Sequence, residues 1–95
     1  MALIIDVMIL CDDPAKRQAF GTVRREYDDC NLTPMAGMEI EDPAWKEPRE
    51  IKKVCLNPIE NYYYIIVEDE RRGSWKDCED LKEIYKSHGW KALNE

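Results

Sequence analysis

Leu3-Ile4-Ile5-Asp6-Val7-Met8-Ile9-Leu10 is the stretch on which the fold turns. Seven of its eight residues are apolar, and Ile4, Ile5, Val7 and Ile9 are β-branched. A run of that length, apolar on both alternating faces, predicts a central buried strand. Cys11-Asp12-Asp13-Pro14 follows at once. An aspartate can accept hydrogen bonds from the free amides of a helix start, and proline suits the first helical turn. The expectation is therefore a helix over about Pro14–Tyr27, with Ala15, Ala19, Phe20, Val23 and Tyr27 as its apolar stripe.

Further along, Met35–Ile40 is compatible with a short strand, and Glu41–Glu50 carries Pro43 and Pro48 around Trp45. Two prolines so close exclude a regular helix or a central strand, which leaves a structured loop. Ile51–Leu56 and Tyr62–Glu68 flank Asn57-Pro58-Ile59-Glu60-Asn61, the pattern of a β-hairpin. Ser74-Trp75-Lys76-Asp77 is a near relative of the capping box and opens a helix over about Trp75–His88. Trp75, Cys78, Leu81, Tyr85 and His88 share its inner face, with Ile84 beside them. Gly89 is placed to close the helix in the left-handed conformation, and Trp90 to pack back over the last turn.

The elements run strand, helix, short strand, strand, strand, helix. That order predicts an α+β fold: a two-layer sandwich of a mostly antiparallel sheet with two helices on one face. It is a truncated ferredoxin-like plan, since Lys91–Glu95 is barely long enough for a last strand. Ninety-five residues fit a single domain, 1–95.

Twenty acidic against fourteen basic side chains give a formal charge of −6. This argues against direct nucleic-acid binding, which needs Lys and Arg to neutralise phosphates. It fits either ordinary solubility or a protein partner with a basic face. The N-terminal apolar run is too short and broken for a signal sequence or membrane span, so the expected compartment is the cytoplasm. Cys11, Cys30, Cys55 and Cys78 show no close CxxC pair, and a reducing compartment favours free thiols.

The chemistry-bearing residues are sparse. His88 is the only histidine, with no nucleophile or orienting acid placed beside it by the sequence. The glycines at 21, 37, 73 and 89 are isolated and form no phosphate cradle. Cys11 ends the first strand, where two neighbouring aspartates oppose a thiolate. No catalytic residue, cofactor or metal ligand set is expected. Asp6 to Asp13, leading into a helix with Phe20, resembles the opening of vicinal-oxygen-chelate modules. Asp6 stands where that family commonly has a metal-binding histidine, and no site residue carries over.

The aromatic residues give the functional pointer. Tyr62, Tyr63 and Tyr64 are consecutive in one strand, so alternation sends Tyr63 to the opposite face from its neighbours. Trp45 projects from the proline loop among Glu41, Asp42 and Glu47. Tyrosine and tryptophan in an acidic setting are typical interface anchors. Alternatively, Trp45 plugs the edge of the sheet and the tyrosines pack across strands. The expected function is a non-enzymatic, acidic protein-binding domain that docks by a sheet face or edge. Small inhibitors of the immunity or phage-antagonist type share its size and charge. The alternative is a small-molecule or metal-binding enzyme domain using the strand-end acids Asp6, Asp12 and Asp13.

Overall fold

The structure is a computed structural model that describes residues 1–93, and of Lys16 and Arg17 the backbone only. In chain order the elements are β1 (Ala2–Asp13), β2 (Lys16–Tyr27), β3 (Glu39–Ile40), β4 (Arg49–Glu50) and β5 (Lys53–Asn57). There follow β6 (Tyr62–Ile66), β7 (Glu70–Arg72), α1 (Trp75–Ser87) and β8 (Lys91–Leu93). The main sheet runs β5-β6-β1-β2-β8, with β7 also on β1, and β3 pairs with β4 apart from it.

Two expectations are overturned. The chain is a mixed sheet of six strands with a single helix, not a two-helix ferredoxin-like sandwich. The segment expected as a helix over Pro14–Tyr27 is the strand β2, antiparallel to β1 from Leu3↔Tyr27 to Asp13↔Lys16. The signal that reads as a helix cap belongs to a turn: Asp13 Oδ1 accepts from the Ala15 amide at 2.9 Å. An aspartate bonding the amide two residues on is an Asx-turn, and Pro14 supplies the preset φ of a tight turn. Val23 and Tyr27 lie four apart, a spacing that serves a helix face and a strand face equally. Pairing with eleven residues of β1 decides between them. A register shift between Ile9 and Leu10 accommodates Phe20 as an extra residue, a β-bulge. Phe20 turns to the helix side, where its ring meets Trp75 edge-on at 4.7 Å.

β1 is the central strand, as expected, with β2 antiparallel on one side and β6 and β7 parallel on the other. Its odd residues Leu3, Ile5, Val7, Ile9 and Cys11 are all buried, whereas Met8 in the even row is 43% exposed. The strand is thus buried on one face, not two. Over the odd row lie α1 and the segment between β2 and β5, which contributes Trp45 and Ile51 to the core.

The hairpin Lys53–Ile66 forms as expected, with Asn57 paired to Tyr62. Asn57 Oδ1 takes the amides of Ile59 and Glu60, and Asn61 adopts φ 64° to close the turn. The short strand expected within Met35–Ile40 is β3, and its partner β4 ends the proline loop. The plan expected to be truncated here does have a last strand: Lys91–Leu93 pairs with Thr22–Arg24, and Asn94 and Glu95 lie outside the described residues.

Ser74 caps α1, accepting from the Asp77 amide at 3.1 Å. The other end closes with the paired bonds of a Schellman motif, Gly89 N to Lys86 O and Trp90 N to Tyr85 O. Gly89 takes φ +92°, and Trp90 folds back into the core. Cys78, Leu81 and Tyr85 form the buried helix face, while Trp75 and His88 stay exposed. All four cysteines are free; burial pushes the Cys78 thiol up to about 11, with Cys11 beside it as the next cause. Replacing Ser74 by Ala should cost about 0.5–2 kcal/mol in a denaturant melt, and Ser74→Asp close to nothing, since aspartate caps as well.

Candidate protein interface

The residues singled out around the proline loop divide sharply. Trp45 is only 8% exposed, and its indole donates to the Tyr85 hydroxyl at 2.8 Å. It stacks obliquely on Trp90, 5.7 Å between rings, and carries the Arg49 guanidinium on its face. Asp42 is buried, and its carboxylate accepts three hydrogen bonds. Its Oδ1 accepts from the Trp90 indole and the Ala44 amide, both at 2.9 Å. Its Oδ2 accepts from the Tyr27 hydroxyl and lies 3.6 Å from Arg25 Nε. Tyr63 is half-buried against the core. Of the five residues, Glu41 and Glu47 alone are exposed. Trp45 and Asp42 are therefore structural in this conformation, and Trp45 plugs the fold.

A cleft of about 740 Å³ opens beside this cluster, between the proline loop, β7 and α1. Its inner charges answer one another. Glu70 accepts from Tyr85 at 2.9 Å and pairs with Arg49 at 3.1 Å and Arg72 at 3.7 Å. Burial and the nearby Glu70 raise the Tyr85 phenol well above its ordinary value. A phenol so held gives up no proton near neutrality, so the group braces the loop against the helix.

The strand-end acids are not brought together. Asp13 closes the β1–β2 turn, Asp12 pairs with Arg71 at 3.2 Å, and Asp6 sits mid-strand. Asp6 and Asp12 are six residues apart in β1, about 20 Å. Each has its own partner, so they form no carboxylate pair, and no group of three potential metal ligands occurs among the described residues.

The uncovered face of the sheet has a different character. The even row of β1 and its cross-strand neighbours compose it, because paired residues share a face. At its centre, Asp6 takes a bidentate bond from Arg24 (2.7 and 2.9 Å) and a third from the Tyr64 hydroxyl at 2.9 Å. Around that neutral group lie Ile4, Met8, Leu10 and Ile66, with Cys55 and Tyr62 toward β5. Met8 is 43% and Ile66 36% exposed, and Leu56 and Ile59 extend the apolar surface round the hairpin edge. Four cations (Arg24, Lys53, Arg71, Lys91) meet three anions (Asp6, Asp12, Glu26) on this face, Arg17 aside. The molecule as a whole carries −6. Its acidity is therefore carried elsewhere, on the outside of α1 and the proline loop, where Glu41, Glu47, Glu79 and Glu83 are exposed.

Sequence reasoning missed Met8, Ile66, Tyr64 and Arg24 as surface residues. The available signal was Asp6, the one charge in the apolar run, which marks the even row as the outward one. No family profile, curated protein or solved structure matches the chain. The likeness to vicinal-oxygen-chelate modules ends at Asp13, since a strand follows where a helix was expected. Among the described residues no helix is long and apolar enough to cross a membrane.

Two outcomes follow from this geometry. Trp45→Ala removes a buried indole together with its bond to Tyr85, and should cost about 3–5 kcal/mol by chemical denaturation. The Tyr64 phenol is pushed up to about 12, first by desolvation and then by its bond to Asp6. An unfolded tyrosine ionises near ~10. The unfolded chain thus sheds this proton first, so the contribution is whole below pH ~10 and is lost as pH rises towards 12. Tyr64→Phe should flatten that alkaline loss in melts taken across the window.

Proposed function

We propose that this chain is a non-enzymatic protein-binding domain whose docking surface is the open face of its main sheet. One observation carries the reading: a broad, half-apolar, nearly neutral sheet face left bare on an otherwise acidic molecule. Large exposed apolar patches on soluble domains mark interaction sites more often than not. The centre of this one has the make-up of an interface core, with Met8, Ile66 and two tyrosines around a charge pair already neutralised. Small acidic inhibitors are a class whose size and charge it shares.

An enzymatic reading has less behind it. The acids Asp6, Asp12 and Asp13 are each engaged separately. His88 caps the end of α1, and its carbonyl accepts from Arg25 at 2.6 Å.

A photo-crosslinking amino acid placed at Met8 tests the docking surface, with the same group at Ile84 on the outside of α1 as the control. Illumination in cells of the source should give a discrete covalent adduct from Met8 and none from Ile84. Absence of any adduct at Met8, or equal labelling at both sites, would refute the assignment of this face.

A further inference from the structure

We propose that the occupant of the open sheet face is a second copy of this chain, the two sheets packing face to face about a two-fold axis. The inference rests on the docking surface argued above and names what covers it.

Area is the first argument. Five strands ~4.8 Å apart span ~24 Å, and the twelve-residue strands β1 and β2 run ~40 Å. Allowing for the shorter flanking strands, the face offers on the order of 600–900 Å², close to the ~800 Å² per partner of a stable interface. A sheet-on-sheet contact of this kind buries alternate residues of both inner faces. Here these are the even row of β1 and its neighbours.

Charge is the second. Two copies at −6 repel, and the encounter that minimises repulsion turns their acidic sides apart. The open face, with four cations against three anions, is the surface on which like chains can meet. A two-fold axis near Asp6 and Arg24 sets each copy's ion pair close to the other's, so cation can face carboxylate in both directions. Of this pair the Arg24 side chain, at 33% exposed, has water left to lose, whereas the carboxylate has little. The Asp6 side chain is already only 13% exposed, and its carboxylate is fully bonded within its own chain.

The salt response separates this partner from a basic one. Salt screens the repulsion between two acidic bodies, so self-association should strengthen several-fold as salt rises from ~50 to ~500 mM. Capture of a basic protein would weaken over the same range.

Sedimentation equilibrium of the purified chain at tens of micromolar is the experiment, read against the monomer mass of 11.2 kDa. The expected result is twice that mass, tightening with salt. The double variant Met8→Arg, Ile66→Arg should return to 11.2 kDa with an unchanged helix and strand signature in circular dichroism. A wild-type mass of 11.2 kDa throughout, or a doubled mass that survives the double variant, would overturn the proposal. Dimerisation that weakens with salt would overturn its electrostatic argument. A Met8 crosslink to a different polypeptide by a monomeric chain would defeat self-association and leave the docking face standing. No crosslink at all would defeat both.

Discussion

The pairing of β1 on both sides is the constraint on which the rest of the molecule depends. Eleven residues of this strand, Leu3 to Asp13, pair with β2, and the opposite edge pairs first with β6 and then with β7. A strand paired along most of both edges is fixed in place, and its side chains have one decision left, which face to bury. Leu3, Ile5, Val7, Ile9 and Cys11 settle it: the odd row lies under α1 and the proline loop. A slip of one residue would send all five to the open side, with Asp6 into the core. The bonds from Arg24 and Tyr64 to Asp6 oppose that slip directly, because they hold the carboxylate on the outer face.

Coverage of the inner face is a problem of dimensions. A helix is about 10 Å across with its side chains, and α1 at thirteen residues is ~20 Å long. It covers only part of the six-stranded sheet, over β1, β2, β7 and β8, and leaves the rest to irregular chain. Irregular chain carries backbone polar groups that need partners once buried. Asp42 supplies the organising group, with the Ala44 amide, the Trp90 indole and the Tyr27 hydroxyl converging on one carboxylate. Tyr85 does similar work one helical turn before the end of α1, tying Trp45 and Glu70 to the helix. Trp45 and Asp42, which stand out in the proline loop, are therefore needed to fold it, and so they are absent from the surface.

Legibility followed the range of the interactions. The Ser74 cap, the Gly89 close and the Asn57–Asn61 turn are local, settled within a few residues, and each could be read in advance. The Leu3–Leu10 strand was readable because its composition admits no other element. The segment after Pro14 was not. Its stripe of Ala15, Ala19, Phe20, Val23 and Tyr27 suits a helix, and the aspartates before it suit a cap. The competing cues were Gly21 beside β-branched Thr22 and Val23, and an outward Thr22, Arg24, Glu26 alternation. They gain force only once β1 is there to be paired. Trp45 was ambiguous for a like reason: whether an aromatic in a loop is an anchor or a plug depends on a cavity that distant residues create.

The same shortage of covering material explains the character of the open face. Among the described residues one helix and one ordered loop close only one side of the sheet. An entirely apolar second side would aggregate without specificity. An entirely charged one would give the even row of β1 nothing with which to bind. The compromise is a neutral centre, Asp6 with Arg24 and Tyr64, set among Ile4, Met8, Leu10 and Ile66. The polar centre serves two purposes at once. Within the chain it holds the register of β1 against β2, and in the contact proposed above it would set a polar, internally bonded centre among apolar residues. The register of the strand and the proposed selectivity of the face thus share the same three side chains.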